Sequence, residues 1–169
     1  MSDSHGPAGS PAGSILALGL ALAACFIAAG IGAMATPAPE LDPWYRDLAK
    51  PAFTPPPAAF GIVWPILYTL MAVALWLVWR RRHAGPNARA AFVAFAVQLV
   101  LNVAWPWAFF AAQSPALGLA VIVLLILALI WTIARFALIS RLSAWLLAPY
   151  FAWVVFASVL NGTILVLNL

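Results

Sequence analysis

The sequence is 169 residues long, 66% hydrophobic and only 7% charged, with a mean hydropathy of +1.06 and a net charge of +4. Soluble domains carry about 25% charged residues, so this composition excludes an ordinary water-soluble enzyme and makes lipid the principal solvent. The basic balance is not a nucleic-acid signal, because Arg80, Arg81, Arg82 and Arg89 border one short connection and Arg135 and Arg141 another, a pattern that sets membrane topology.

Residues 1–14, rich in Gly, Ser, Pro and Ala, read as a flexible tail. An apolar run over 15–35 follows. It is longer than a signal-peptide core and no Lys or Arg precedes it, so it reads as a retained span. Its Cys25 is the single cysteine of the chain, which excludes internal disulfides and cysteine metal clusters. Segment 36–59 holds Pro37, Pro39, Pro43, Pro51, Pro55, Pro56 and Pro57, and proline lowers the entropy lost when a loop is ordered. A long, stiff loop with Trp44, Tyr45 and Phe53 reads as a lid whose aromatics either fold onto the bundle mouth or sit in the lipid interface.

Further apolar runs cover 60–79, 90–112, 116–138 and 144–167, each near the roughly 20 residues that cross a bilayer core. The expected fold is an all-α membrane protein, a bundle of five transmembrane helices over 15–169 with no room for a separate soluble domain. Connections 80–89 and 135–143 carry the arginines and are expected to face the cytoplasm. That orientation puts the N-terminus inside and the C-terminus outside.

Polar side chains inside a bilayer are costly and face the bundle interior or a cavity. Gln98, Asn102, Trp105 and Phe109 share one helical face; so do Tyr150, Trp153, Ala157 and Asn161, and Trp64 with Tyr68. Pro65, Pro106 and Pro149 each remove a backbone donor beside such a stripe. One reading is an aromatic slot for a flat, largely apolar ligand. The other is that Gln98, Asn102 and Asn161 tie helices together, worth about 1 kcal/mol each. Trp76, Trp79, Trp131 and Trp145 lie toward span ends and read as interfacial anchors. No span contains an acidic residue, and His5 and His83 lie outside all five, so proton relays and an axial histidine for haem are excluded. No metal site or required cofactor is expected. A metal-free porphyrin suits such a slot better than haem.

The motifs resemble those of the translocator protein family, the tryptophan-rich sensory proteins also known as peripheral-type benzodiazepine receptors. The resemblance spans about residues 36–162. It rests on Trp44-Tyr45 followed by Lys50-Pro51 and Pro55-Pro56, on Gly61 to Trp64 with Tyr68, on Gln98 to Phe110, and on Pro149 to Trp153 with Leu160-Asn161. It implies a five-helix fold, a homodimer, and a pocket under the first loop that takes porphyrins, cholesterol-like lipids and synthetic drugs. Carried over by position, the pocket would include Tyr45, Trp64, Asn102, Trp153, Ala157 and Leu160. Trp64 and Trp153 match the tryptophans implicated in light-dependent porphyrin breakdown by some bacterial members. Many members have tryptophan where this chain has Phe53, and the family's sterol motif, a tyrosine followed by a basic residue late in the fifth helix, has no counterpart here.

The resulting expectation is a membrane receptor or sensor binding a protoporphyrin-like tetrapyrrole, with the candidate ligand set Tyr45, Phe53, Trp64, Tyr68, Gln98, Asn102, Trp105, Tyr150, Trp153, Ala157 and Leu160. Expected partners are the tetrapyrrole or a lipid-like small molecule, membrane lipids and a second copy of the chain. Two alternatives stand beside it: a light-dependent porphyrin-degrading enzyme acting through Trp64 and Trp153, and a lipid or sterol transporter or scaffold.

Overall fold

A computed structural model describes residues 11–37, 42–83 and 87–169. The expected tail up to Ser10, residues 38–41 of the lid and 84–86 of the first arginine-bearing connection lie outside the described residues. Every regular element among the described residues is helical: α1 (Pro11–Met34), α2 (Pro43–Asp47), α3 (Pro57–Arg80), α4 (Asn87–Pro106) continued by a π-helical turn (Trp107–Ala111), α5 (Pro115–Ala137), α6 (Arg141–Leu146) and α7 (Ala148–Leu167). Five stretches are long and apolar enough to span a membrane: α1, α3, α4 with its π turn, α5, and α6 with α7. The chain is an integral, multi-pass membrane protein with the all-α five-helix architecture read from its apolar runs.

The ends of these helices differ from the expected bounds for local reasons. Residues 11–14, assigned to the tail, belong to α1, and the lid ends three residues early because Pro57 starts α3 at a position where its missing N–H costs nothing. Pro149 lies in the first turn of α7, so it does not weaken the middle of a span; the fifth apolar run breaks at Leu147 into a short α6 and a long α7. Pro106 closes α4, and the chain passes into wider turns in which the amide of Ala112 donates to the Trp107 carbonyl at 2.9 Å and that of Ser114 to Phe109 at 3.1 Å. Ser114 then caps α5 by accepting from the amide of Leu117 at 3.2 Å.

The core gathers small and large side chains from all five spans. Cys25, Met71, Ala91, Leu129, Phe136 and Tyr150 are fully buried, and Phe95 stacks on Phe136 with ring centroids 5.9 Å apart. The small residues Ala28, Gly32 and Ala94 face inward, and a Cβ on Gly32 would touch Pro106 at 3.4 Å. They serve packing within one chain. Trp76, read as an anchor, also ties helices together: its indole N–H reaches the Ser14 carbonyl at 3.0 Å and the Ser14 hydroxyl at 3.2 Å.

Candidate functional site

The lid is folded down on the bundle. Asp42 caps α2 by accepting from the amide of Trp44 at 3.1 Å, and Pro43 starts the turn. Lys50 closes it, its Nζ donating to the carbonyls of Arg46 at 3.1 Å and Leu48 at 3.0 Å. This short helix aims Trp44 and Tyr45 at the π turn. Trp44 meets Phe109 edge-on at 5.7 Å, and Tyr45 meets Phe110 at 5.4 Å. Between the two lid readings, the structure takes the one in which the aromatics fold onto the bundle.

Beneath the lid is a cavity of about 610 Å³, within the roughly 300–1,000 Å³ of small-molecule sites. Tyr45, Thr54 and Pro55 form its roof, Phe60 and Trp105 one wall, and Ala157, Leu160, Asn161 and Ile164 of α7 another. Arg46 and Lys50 supply two cations at this largely apolar surface, with the Arg46 Nε also 3.3 Å from a carboxylate oxygen of Asp47. Lys50 also lies 4.7 Å from the centroid of the Tyr45 ring. Burial raises the pKa of the Tyr45 hydroxyl, so Lys50 faces a neutral ring.

A second, much smaller space of about 30 Å³, the share of roughly one water, adjoins it and is lined by Trp64, Asn102 and Trp153. Phe60, Trp105 and Ala157 border both spaces. Phe60 stands edge-on to Trp153 at 5.6 Å, on the border that the two spaces share. Behind the small space, Tyr68 donates to the Asn102 amide oxygen at 2.5 Å, and the Asn102 amide nitrogen donates to the Tyr150 hydroxyl at 2.7 Å. Trp64 leans on both tyrosines, with ring centroids 5.5 and 6.4 Å away.

The structure therefore divides the candidate ligand set. Tyr45, Trp105, Ala157 and Leu160 line the large cavity, and Trp64, Asn102 and Trp153 line the small one. Tyr68 and Tyr150 are buried behind Trp64 and line neither. Gln98 is fully buried a turn before Asn102, with both amide atoms unpaired and no place in either lining. Phe53 is half exposed and packs on Phe156 at 6.3 Å, outside the cavity. The candidate ligand set left out Arg46, Lys50, Phe60 and Asn161, although Asn161 lies on the face read for Trp153 and Ala157. For Phe60 the signal was present, one turn before Trp64 on the same face. Asn161 donates to the Pro115 carbonyl at 2.7 Å and accepts from the Trp105 indole at 3.2 Å, holding a wall of the cavity.

A profile of the TspO/MBR family matches residues 21–167. The chain belongs to this family. It is 41% identical over 154 residues to the tryptophan-rich protein TspO of Chlorobaculum tepidum, covering 91% of this chain and 97% of that protein. It is 33% identical over 145 residues to protein CrtK of Rhodobacter capsulatus, with 86% and 88% covered. Against the human translocator protein the identity is 37% over 121 residues, 70% of each chain. In this TspO/MBR chain the matched region includes the lid, both cavities and all residues that line them.

Proposed function

We propose that this protein is a membrane receptor or sensor for a flat, carboxylate-bearing tetrapyrrole of the protoporphyrin type, bound under the lid. The observation that carries the reading is the pairing of a large aromatic-walled cavity with Arg46 and Lys50 at its surface. Ring faces and aliphatic side chains suit an apolar macrocycle, and the two cations suit its acidic edge groups. A neutral sterol would bring no charge to either cation. The lid then faces away from the cytoplasm, the arginine-bearing end faces it, and the working unit is a homodimer; charge distribution and family membership support these assignments.

The test is a titration with protoporphyrin IX in darkness, read by quenching of tryptophan fluorescence. Wild type is expected to bind the free acid more tightly than its dimethyl ester, and Ala157→Phe, which fills the cavity, is expected to bind neither. Equal affinity for acid and ester, or unchanged binding by Ala157→Phe, overturns the reading.

Light-dependent porphyrin breakdown is a second reading, favoured by the contact of Trp64 with two tyrosines that are joined through Asn102. An electron passing from the Trp64 indole to a photoexcited porphyrin would leave the indole oxidised and the porphyrin reduced by one electron, with dissolved dioxygen as the oxidant that consumes the macrocycle. Illumination of the complex is expected to consume porphyrin faster than a protein-free control. The Trp64→Phe, Trp153→Phe variant should abolish the difference.

A further inference from the structure

At the end of the bundle opposite the lid, α1 and α3 leave an open groove of about 270 Å³. Leu16, Ala17, Leu20 and Ala24 make one wall, and Leu75, Trp76 and Trp79 the other. Small residues on α1 keep the floor low, while two tryptophans raise the opposite side. The α1 wall runs from Gly13 to Ala24, about 16 Å at 1.5 Å per residue. One leaflet of hydrocarbon is about 15 Å, half the roughly 30 Å core. The groove thus has the length of a single acyl chain within one leaflet.

Its outer end is cationic. The guanidinium of Arg80 lies 5.0 Å from the Trp76 ring centroid, and that of Arg82 lies 3.9 Å from Trp79. Among the described residues the Arg80 guanidinium has no hydrogen bond or ion pair, only this ring contact. Arg81 donates to the Ile139 carbonyl at 3.0 Å, which draws the connection bearing Arg135 and Arg141 to the same end. The two described acidic residues, Asp42 and Asp47, precede α3, whose 24 residues extend about 36 Å. No described carboxylate competes for these arginines.

We propose that the groove is a binding site for an anionic phospholipid, one acyl chain lying between α1 and α3 and the phosphate held by Arg80 and Arg82. Trp76 and Trp79 serve both parts, with ring faces along the chain and guanidinium groups ordered on them beside the headgroup. A zwitterionic lipid would fit the apolar part equally and gain less from the arginines, each of which favours an anionic surface by about fivefold. The site is independent of the lid cavity and of what binds there.

Purified protein in detergent is titrated with phosphatidylglycerol or phosphatidylcholine of identical chains, and bound lipid is counted by native mass spectrometry. Wild type is expected to hold one phosphatidylglycerol at least about fivefold more tightly than phosphatidylcholine. The Arg80→Gln, Arg82→Gln variant is expected to lose that preference, and Ala17→Trp to lose the tight adduct of either lipid, with helical circular dichroism unchanged. Equal retention of the two lipids by wild type overturns the proposal, as does a preference that survives the arginine variant or an adduct that survives Ala17→Trp. Should Ala17→Trp not fold, phosphatidylglycerol brominated on its chains gives a second readout. It is expected to quench wild-type fluorescence, and the Trp76→Phe, Trp79→Phe variant to lose that quenching; equal quenching in both overturns the assignment to this groove.

Discussion

The side-chain amide of Asn168 is matched to the backbone of Ala49, 119 residues away: its oxygen accepts from the Ala49 amide at 2.9 Å and its nitrogen donates to the Ala49 carbonyl at 2.9 Å. The same nitrogen also donates to the Ile164 carbonyl at 2.7 Å, which fixes the side chain on the end of α7. This two-point contact pins the lid where α2 has ended, beside Lys50. Asn168→Leu removes both bonds, each worth about 0.5–1.5 kcal/mol. A ligand under the lid is then expected to leave about tenfold faster, and the Ala49 amide to lose protection from hydrogen exchange. Asn168→Asp keeps the acceptor and is expected to fall between the two. Unchanged exchange at Ala49 in Asn168→Leu would remove the pinning role.

Gly118 sets the spacing between α5 and α7. A Cβ there would stand 2.8 Å from the Asn161 amide oxygen and 2.9 Å from the Phe109 ring, closer than real contacts allow. Gly118→Ala must displace Asn161 from the Trp105 indole and the Pro115 carbonyl, and overpacking of this kind costs about 1–3 kcal/mol. Thermal unfolding in detergent is expected to shift down, and binding under the lid to weaken because Trp105 and Asn161 both line that cavity. Gly61→Ala is the control. Nothing lies within 4 Å of a Cβ at Gly61, so no loss of stability is expected.

Asn102 joins Tyr68 and Tyr150 by hydrogen bonds on both sides. Asn102→Leu strands two buried hydroxyls, and a buried polar group left unpaired costs about 1–3 kcal/mol. Tyr68→Phe removes one bond and one of the stranded groups together, so it is expected to be milder. A double-mutant cycle between Asn102→Leu and Tyr68→Phe should show non-additive unfolding free energies. Additive values would mean that the hydrogen bond contributes nothing to stability.

These residues also mark what a sequence can disclose about such a fold. Five spans were legible because a bilayer demands about 20 apolar residues of every crossing. The stripes Asn102–Trp105–Phe109 and Trp153–Ala157–Asn161 followed from helical periodicity, and their members do converge around the two cavities. Periodicity assigns a face but not an occupant of that face. Tyr68, Asn102 and Tyr150 satisfy one another, whereas the side chain of Gln98, on the same stripe as Asn102, finds no hydrogen-bond partner among the described residues. The Asn168–Ala49 contact left no trace in any local pattern, since it joins a helix end to a loop across 119 positions. Lys50 read as part of the Lys50-Pro51 motif of the first loop, and only the end of α2 places its ammonium on two carbonyls and at the cavity.

Phe60 decides how much of the aromatic interior a ligand can reach. Its ring borders the 610 Å³ cavity on one side and the 30 Å³ space holding Trp64 and Trp153 on the other. A ligand under the lid therefore touches Trp105 directly but meets Trp64 and Trp153 only past the border that Phe60 shares with Trp105 and Ala157. Phe60→Ala merges the two spaces and is expected to bring a bound porphyrin closer to the inner tryptophans, increasing fluorescence quenching at saturation. Phe60→Trp narrows the passage and is expected to reduce it. If light-dependent breakdown passes through Trp64 and Trp153, its rate should follow the same order, Phe60→Ala above wild type above Phe60→Trp, while affinity in darkness changes far less because Tyr45, Leu160 and Lys50 are untouched. A rate that is the same in all three proteins would separate the inner tryptophans from the chemistry and leave the lid cavity as a binding site alone.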